Sequence, residues 1–227
     1  MIYSISDLHL GNTVDKPMDV FGKQWEGHFE KIQKDWREKV SADDIVLIAG
    51  DISWAMTIAE AKPDFEALAA LPGKKVILKG NHDYWWQSLG KVRAFLPQDF
   101  YVVQNDCVRI GKYLFCGSRG WTAESAEAED KRIFDRELIR LELSLKAMEA
   151  ERGEGDVPIG LVHYPPFDVS LAPTPVTDLF TKYGVQTVVY GHLHGNAYAK
   201  RKVYIGGTNY LLTSCDLVDF HLVKVMD

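Results

Sequence analysis

Short apolar runs that stop abruptly in polar residues are the feature that most constrains how this chain of 227 residues can fold. The apolar run at residues 75–79 ends in Gly80-Asn81-His82-Asp83, and the run at residues 44–49 ends in Gly50-Asp51. Continuous apolar runs of this length are typical of strands that are covered on both faces. Ligands of open α/β sheets bind beyond the carboxyl ends of the strands, so these polar residues indicate a functional site.

The first strand, at residues 2–6, ends in Asp7-Leu8-His9. Side chains two apart in an extended chain point to the same side, so we expect Asp7 and His9 to face one point. The polar loop at residues 11–24 is long for a connection between a strand and a helix, and it is predicted to border the site.

Helical patterns separate these first three strands. Apolar side chains recur at helical spacing in two segments, Trp25-Phe29-Ile32-Trp36 and Ile58-Ala61-Phe65-Leu68. The resulting order, β-α-β-α-β, predicts parallel strands that are joined by helical crossovers.

The pattern changes after a helix predicted around residues 84–95. Three short β-rich runs follow at residues 101–103, 108–110 and 113–115, with a hairpin turn at Gly111-Lys112. The remaining predicted elements are a long helix at 126–152, a strand at 157–162, a short helix at 175–183, a strand at 186–190, and β-rich runs near 197–205, 209–213 and 217–223. Since no repeat, low-complexity tract or linker interrupts the chain, we predict one α/β domain over residues 1–227 that contains two packed sheets.

Composition narrows the possible partners. The formal net charge is -6, from 26 Lys and Arg against 32 Asp and Glu. A protein that binds long nucleic acid without sequence preference needs a basic face, so such a partner is not expected. A small phosphorylated substrate remains open, because the local charge of a metal ion can outweigh the overall balance.

The three cysteines, Cys107, Cys116 and Cys215, show no CxxC spacing and are predicted to be free thiols in a reducing compartment. The first residues are typical of a strand rather than of a basic and apolar leader, and no apolar run approaches the ~18 residues that span a bilayer. We therefore predict a cytoplasmic protein without a membrane partner.

Side chains of the kinds that bind metals gather at five strand ends: Asp7 and His9; Asp51; Asn81 and His82; His163; His192 and His194. Imidazole, carboxylate and amide groups form a mixed nitrogen and oxygen set that suits Mn, Fe, Zn or Co. The set is larger than one ion needs, and Asp51 could bridge two divalent metal ions. Two cations ~3.5–4 Å apart can stabilise both the attacking and the leaving oxygen in displacement at phosphorus.

Each motif taken alone has a plain structural interpretation. A buried histidine is more often a hydrogen-bonded core residue than a ligand, and Gly-Asp after a strand is commonly a turn. All five motifs in one chain, each at the end of a β-rich run, favour a metal site.

Five motifs together resemble the signature of the calcineurin-like metallophosphoesterases: Asp7-x-His9, Gly50-Asp51, Gly80-Asn81-His82-Asp83, His163-x-Pro165-Pro166 and Gly191-His192-x-His194. The match extends over residues 2–194. The resemblance implies two packed mixed β-sheets flanked by helices, a four-layer α-β-β-α sandwich. It also implies hydrolysis of a phosphomonoester or phosphodiester.

The resemblance further assigns roles to the motif residues. It implies one metal held by Asp7, His9, Asp51 and His194, and a second held by Asp51, Asn81, His163 and His192, with a metal-bridging hydroxide as the nucleophile. His82 would be catalytic rather than a ligand, stabilising the phosphoryl oxygens or protonating the leaving oxygen. Asp83 would orient the His82 imidazole. Many members of the family carry an acidic residue shortly after Gly-Asp, and residues 52–55 of this chain contain none.

Aromatic residues near these motifs leave the substrate open. Trp54, Trp85, Trp86 and Trp121 could stack on a flat group or pack the core. Arg119 could contact a phosphate or lie solvated in its loop. His28 and His221 lack a motif and are expected to be structural.

Two other classes of function are consistent with such a fold. One is a binding scaffold with degenerate ligands, against which the complete ligand set argues. The other is a nuclease acting on long nucleic acid, which the net charge disfavours.

Overall fold

The computed structural model describes residues 1–122, 127–195 and 201–227. The strands are β1 Ile2–Ser4, β2 Ile45–Ile48, β3 Lys74–Ile77, β4 Phe100–Val102, β5 Cys107–Ile110, β6 Tyr113–Ser118, β7 Val157–Val162, β8 Thr187–Tyr190, β9 Lys202–Ile205, β10 Thr208–Leu212 and β11 Val223–Met226. The helices are α1 His28–Lys39, α2 Ile58–Ala69, α3 Leu89–Phe95, α4 Ala128–Glu151 and α5 Pro175–Lys182, and short 3-10 turns occupy Met18–Phe21 and Lys23–Trp25.

The strands form two mixed sheets. The first has the order β11-β1-β2-β3-β4, and its strands are parallel apart from the antiparallel edge strand β11. The second has the order β5-β6-β7-β8-β10-β9, with a parallel centre and antiparallel strands at both edges. Five of the six parallel pairs are joined by helical crossovers, as the alternation of elements predicts, and the sixth, β8 with β10, has strand β9 in its connection.

Three clusters of buried side chains separate four layers. Residues such as Leu47, Phe115 and Val189 fill the space between the two sheets. Trp36 and Phe65 belong to the cluster between the first sheet and its helices, and Phe180 belongs to the corresponding cluster of the second sheet. The predicted α-β-β-α sandwich with two packed mixed sheets is thereby confirmed.

Two predicted elements differ from the observed ones. The helix predicted around residues 84–95 begins only at Leu89, since Trp85 and Trp86 are buried and the chain turns at residues 84–88 to bury them. The β-rich run predicted near 217–223 is wrong in its position. Asp219 and Phe220 have φ values of 55° and 60°, which a strand does not allow, and the strand begins at Val223 instead.

Residue 126 of the predicted long helix and residues 197–200 of the next predicted β-rich run lie outside the described residues. In the described part of the chain, no helix combines the length and the apolar character that crossing a membrane requires.

Candidate metal centre

The seven predicted metal ligands lie at the carboxyl ends of β1, β2, β3, β7 and β8, where the two sheets meet. Four of them, Asp7, His9, Asp51 and His192, have φ values of 58°, 47°, 52° and 73°. Non-glycine residues rarely adopt this left-handed conformation, and where they do, they cluster at functional sites. Asp7 and His9 therefore converge through sharp turns and not, as the sequence suggested, through the alternation of an extended strand.

Two glycines of the motifs leave room for the carboxylates. A Cβ atom on Gly80 would lie 2.1 Å from Oδ1 of Asp51, and one on Gly191 would lie 2.3 Å from Oδ2 of Asp7. Any side chain at these positions would displace a ligand, which explains why the backbone beside the carboxylates is glycine.

One group of ligand atoms consists of Asp7, His9 and His194. Nε2 of His194 lies 3.3 Å from Nε2 of His9 and 3.6 Å from Oδ1 of Asp7. Asp7 is completely buried and His9 nearly so, which leaves His194 as the partly open side of the group.

The second group brings together Asn81, His163 and His192. Oδ1 of Asn81 lies 2.6 Å from Nε2 of His163 and 2.9 Å from Nδ1 of His192. Oδ2 of Asp51 lies between the two groups, 3.5 Å from Nε2 of His163 and 3.9 Å from Nε2 of His9. The structure thus gathers all seven residues around two adjacent points.

Hydrogen bonding of His163 tests whether a cation fits here. Its Nδ1 lies 2.9 Å from the carbonyl oxygen of Ala49, which can only accept, so Nδ1 carries the proton. Burial lowers the pKa of His163 to about 4, so Nε2 is unprotonated at neutral pH. Nε2 then faces the amide oxygen of Asn81 and the carboxylate of Asp51 as a third electron-pair donor. Three such atoms directed at one point are suited to a metal ion.

Two groups of the site, Asp51 and His194, have pKa values far above their ordinary values. Burial and the negative charges of Asp83 and Asp7 raise the pKa of Asp51 to about 9. Burial alone would lower the pKa of His194, but its hydrogen bonds with Asp216 and Asp7 raise it to about 10. In the metal-free protein, Asp51 and His194 therefore carry protons at neutral pH. A metal ion must displace these protons when it binds.

A comparison with models of known protein families shows to which family the chain belongs. The model of the calcineurin-like phosphoesterase family matches residues 1–196. The chain belongs to this family. Members are in general metal-dependent phosphoester hydrolases, in agreement with the two groups of metal-ligand atoms.

Individual relatives are distant. The Gene 66 protein of Mycobacterium phage D29 is 36% identical over 86 residues, which cover 36% of this chain and 40% of that protein. A solved structure of phosphopantetheinyl hydrolase from Mycobacterium tuberculosis has a TM-score of 0.56 at 14% identity, over 94% of this chain and 88% of the other. A protein of unknown function from Aquifex aeolicus has a TM-score of 0.51 at 15% identity, over 98% and 94%. These two likenesses concern the fold alone.

The last two residues of the Gly-Asn-His-Asp motif differ in exposure to solvent. The His82 ring is partly exposed, lies 4.6 Å from the Trp54 ring, and has the hydroxyl of Tyr84 at 3.4 Å from its Nδ1. Asp83 is completely buried. Its carboxylate accepts hydrogen bonds from the backbone N–H groups of Gly80, Asp51, Ile52 and Ser53 and from the indole N–H of Trp85. These contacts assign Asp83 to holding the Asp51 loop, whereas the predicted contact with the His82 imidazole stays a prediction.

Asp216 is a site residue that the sequence did not indicate. Its Oδ1 accepts a hydrogen bond from Nδ1 of His194 at 2.9 Å, and its Oδ2 accepts one from the backbone of Gly195 at 2.8 Å. The bond keeps a proton on Nδ1 and directs Nε2 at the predicted metal position, where a metal ion would replace the Nε2 proton. Asp216 lies in a turn without a recognisable motif, so only the folded chain shows its relation to His194.

The structure separates the aromatic residues that the sequence left open. Trp85 and Trp86 are buried and pack the core. Trp121 packs 4.9 Å from the ring of Tyr164 and donates its indole hydrogen to Asp130 at 2.9 Å. Arg119 lies beside Glu137, with 3.5 Å between Nη2 and Oε1. Trp54 alone of the four tryptophans stacks on a predicted ligand, with its ring 4.7 Å from that of His9.

The two histidines without a motif have structural contacts, as predicted. Nε2 of His28 lies 2.9 Å from the carbonyl oxygen of Leu8, and Nδ1 of His221 lies 2.8 Å from Oδ1 of Asp35.

Proposed function

We propose that this protein is a phosphohydrolase that cleaves a phosphomonoester or phosphodiester bond of a small substrate at a centre of two divalent metal ions, of Mn, Fe, Zn or Co. The observation that carries the proposal is the convergence of ligand atoms from Asp51, Asn81 and His163 on one point, where Oδ1 of Asn81 and Nε2 of His163 carry no proton. A structural core would pair such groups with donors, whereas a metal centre leaves them free.

The first ion would be held by Asp7, His9, His194 and Asp51, and the second by Asp51, Asn81, His163 and His192. Asp51 as the shared ligand is supported by the position of its Oδ2, which faces a nitrogen of each group. Asp7 also lies 4.0 Å from His163, but its neighbour there is Nδ1, which already donates to Ala49. Asp7 is thus less suited to the shared position.

Bound divalent ions would supply a hydroxide at neutral pH and would stabilise the charge on the phosphoryl oxygens. The chain's own residues then position the substrate. His82 lines the same cavity as Asp51, His192 and His194, on the open side of the ligands. From there its imidazole can reach a phosphoryl oxygen or the leaving oxygen of a bound ester, as hydrogen-bond donor or as general acid.

The test is hydrolysis by the Mn-loaded protein of generic phosphate monoesters and diesters, among them nitrophenyl esters, nucleotides and cyclic nucleotides. We expect turnover that a chelator abolishes and added Mn restores. The ratio of diester to monoester activity then gives the subclass. Protein shown to hold two metal ions, but inactive on every ester tested, would contradict the proposal.

The matched variant for this test is Asp51→Asn, which keeps the size of the side chain. We expect it to lose turnover and to loosen metal binding, because the amide lacks the charge and one of the two oxygens that a shared ligand needs. Wild-type activity in this variant would exclude Asp51 as the shared ligand.

A further inference from the structure

A cavity of about 310 Å³ opens directly beside the metal centre. One side is formed by site residues, among them His9, Asp51, His82 and His192. The rest of the wall includes Met18, Phe21, Gln24, Trp25 and Trp54. The volume is within the range of sites that take small organic molecules, ~300–1,000 Å³.

The wall formed by these five residues is mostly apolar, and three of them, Phe21, Trp25 and Trp54, are aromatic. Trp25 is almost fully buried, and Phe21 remains 63% exposed at the end of the 3-10 turn Met18–Phe21. Of these five residues, Gln24 has the one polar side chain apart from the indole N–H groups, and none of the five is charged. A sugar or glycerol group would thus find few hydrogen-bond partners, whereas a flat apolar group would cover surface that water now contacts.

Trp54 joins this wall to the reaction site. Its ring stacks on His9 at 4.7 Å with an interplanar angle of 22°, and it lies 4.6 Å from the His82 ring. Its indole N–H is directed at Sδ of Met18 at 3.2 Å, which fixes the ring in the cavity. The ammonium of the exposed Lys16 lies 4.6 Å from the ring centroid, so an aromatic group that stacks there must displace this lysine side chain.

Further exposed apolar side chains lie on the loops that carry the ligands. Val20 is 72% exposed, Met56, two residues after Trp54, is 56% exposed, and Tyr84, whose hydroxyl contacts the His82 ring, is 50% exposed. Exposed apolar surface that borders a site marks the place where a ligand or partner is bound. Of these three residues, Tyr84 contacts a side chain that lines the cavity, His82.

We propose that the substrate is a phosphoester whose leaving group carries a flat aromatic ring, bound between Trp54 and Phe21. The inference rests on the proposed function, because it places the leaving oxygen beside His82 and the ring against the apolar wall. It adds the chemical class of the leaving group, which the metal ligands do not determine.

The experiment is equilibrium binding of inert phosphonates to the Mn-loaded full chain, measured by calorimetry. Methylphosphonate, octylphosphonate and 2-naphthylphosphonate share the metal-binding group and differ in the apolar part. We expect 2-naphthylphosphonate to bind at least about tenfold more tightly than both others, because planar rings stack where a flexible chain must be ordered. Equal affinities, or tightest binding of octylphosphonate, would overturn the proposal.

Variants locate the ring. Phe21→Ser changes an exposed residue and is expected to lower the naphthyl-to-methyl affinity ratio about fivefold, and Trp54→Leu to lower it further. Tyr204→Ser is the matched control, since Tyr204 is 69% exposed on β9 and does not line the cavity. An unchanged ratio in both cavity variants, or an equal fall in the control, would contradict the assignment.

Binding and turnover separate the two proposals. Selective binding of the naphthyl compound without hydrolysis of any ester would refute the proposed hydrolase function and leave the aromatic site standing. Turnover without naphthyl selectivity would refute the aromatic site and leave the hydrolase function standing.

Discussion

At the scale of single residues, the site depends on which atoms carry protons. The carbonyl of Ala49 accepts a hydrogen bond from Nδ1 of His163, and Asp216 accepts one from Nδ1 of His194, so each ring directs its Nε2 to the centre. Nε2 of His163 is unprotonated there, whereas His194 must lose a proton before its Nε2 can bind a metal. Such partners fix both the orientation of a ligand and its tautomer. These four residues follow four different strands, β2, β7, β8 and β10, so the ligand chemistry here is a product of the fold.

Replacing His82 by alanine should separate catalysis from metal binding. The ring lines the cavity but belongs to neither group of ligand atoms. We expect kcat to fall by about 10²–10⁴, the contribution of a positioned acid or base, with metal content nearly unchanged. Steady-state kinetics and elemental analysis of the same preparation measure both, and full activity would exclude the role given to His82.

Replacing Asp216 by asparagine should weaken metal binding. The substitution keeps the size of the side chain but removes the charge that supports His194. Loss of such a partner typically costs about 10–100-fold in metal affinity. The control is Asp219→Asn in the same turn, whose carboxylate pairs with Arg201 at the surface. Competition with a chelator measures the affinities, and equal values for both variants would argue against the role of Asp216.

Metal affinity should rise with pH. In the metal-free protein the pKa of Asp51 is raised to about 9 and that of His194 to about 10, so both groups hold protons at neutral pH. Metal binding must displace these protons, and each one displaced makes the affinity about tenfold tighter per pH unit until the pH reaches the raised pKa. Calorimetry between about pH 6 and about pH 8 should show proton release on metal binding throughout this range, and tighter binding at the higher pH. Affinity that falls or stays constant would contradict these protonation states.

At the scale of elements, the ligands come from short motifs in the tight turns that follow the strands. The carboxylate of Asp83 ties the turn after β3 to the loop after β2 through four backbone N–H groups and one indole N–H. Sequence patterns predicted the strands and both loops, since apolar runs and glycine motifs are local signals. They did not predict this link, because it joins segments about thirty residues apart.

Asp83→Asn tests whether this carboxylate acts through the loops. The asparagine side chain would place its NH₂ group where one carboxylate oxygen of Asp83 now accepts hydrogen bonds. In this fully buried position, that NH₂ group would face the N–H donors without an acceptor. Loss of the acceptor leaves buried N–H groups unsatisfied, which should cost about 1–3 kcal/mol in the free energy of unfolding, and it should weaken metal binding. Chemical denaturation measures the first quantity, with the exposed Asp43→Asn as control. Unchanged stability with reduced kcat would instead support the orientation of His82 that the sequence suggested.

The errors in the predicted elements have the same cause. The helix expected around residues 84–95 starts late because Trp85 and Trp86 are drawn into the core and tied to Asp83 and Gln104. The misplaced final strand follows a turn that delivers Asp216 to His194. Tertiary contacts therefore override local propensity beside the site, where sequence patterns carry the least information.

At the scale of the whole molecule, the two sheets each contribute part of the centre. Asp7, Asp51 and Asn81 follow strands of the first sheet, whereas His163, His192 and His194 follow strands of the second. The relative position of the sheets is set by the apolar layer between them, which includes Phe115. Packing in that layer should therefore control the distances between ligands.

A pair of phenylalanine variants tests this dependence. Phe115 and Phe180 are both completely buried, but Phe115 lies between the sheets, whereas Phe180 is on α5 and packs against the outer face of the second sheet. Truncation of either to alanine should cost about 3–5 kcal/mol of stability. Only Phe115→Ala should in addition weaken metal binding at a temperature where both variants are folded. Equal metal affinities would show that the sheets keep their spacing without this residue.

We propose that the strand ends of both sheets hold two metal ions side by side. Anomalous diffraction from crystals of the Mn-loaded protein would locate these ions directly. We predict two peaks about 3.5–4 Å apart, one beside Asp7, His9 and His194 and the other beside Asn81, His163 and His192, with Asp51 between them. A single peak, or two peaks without Asp51 between them, would contradict the claim.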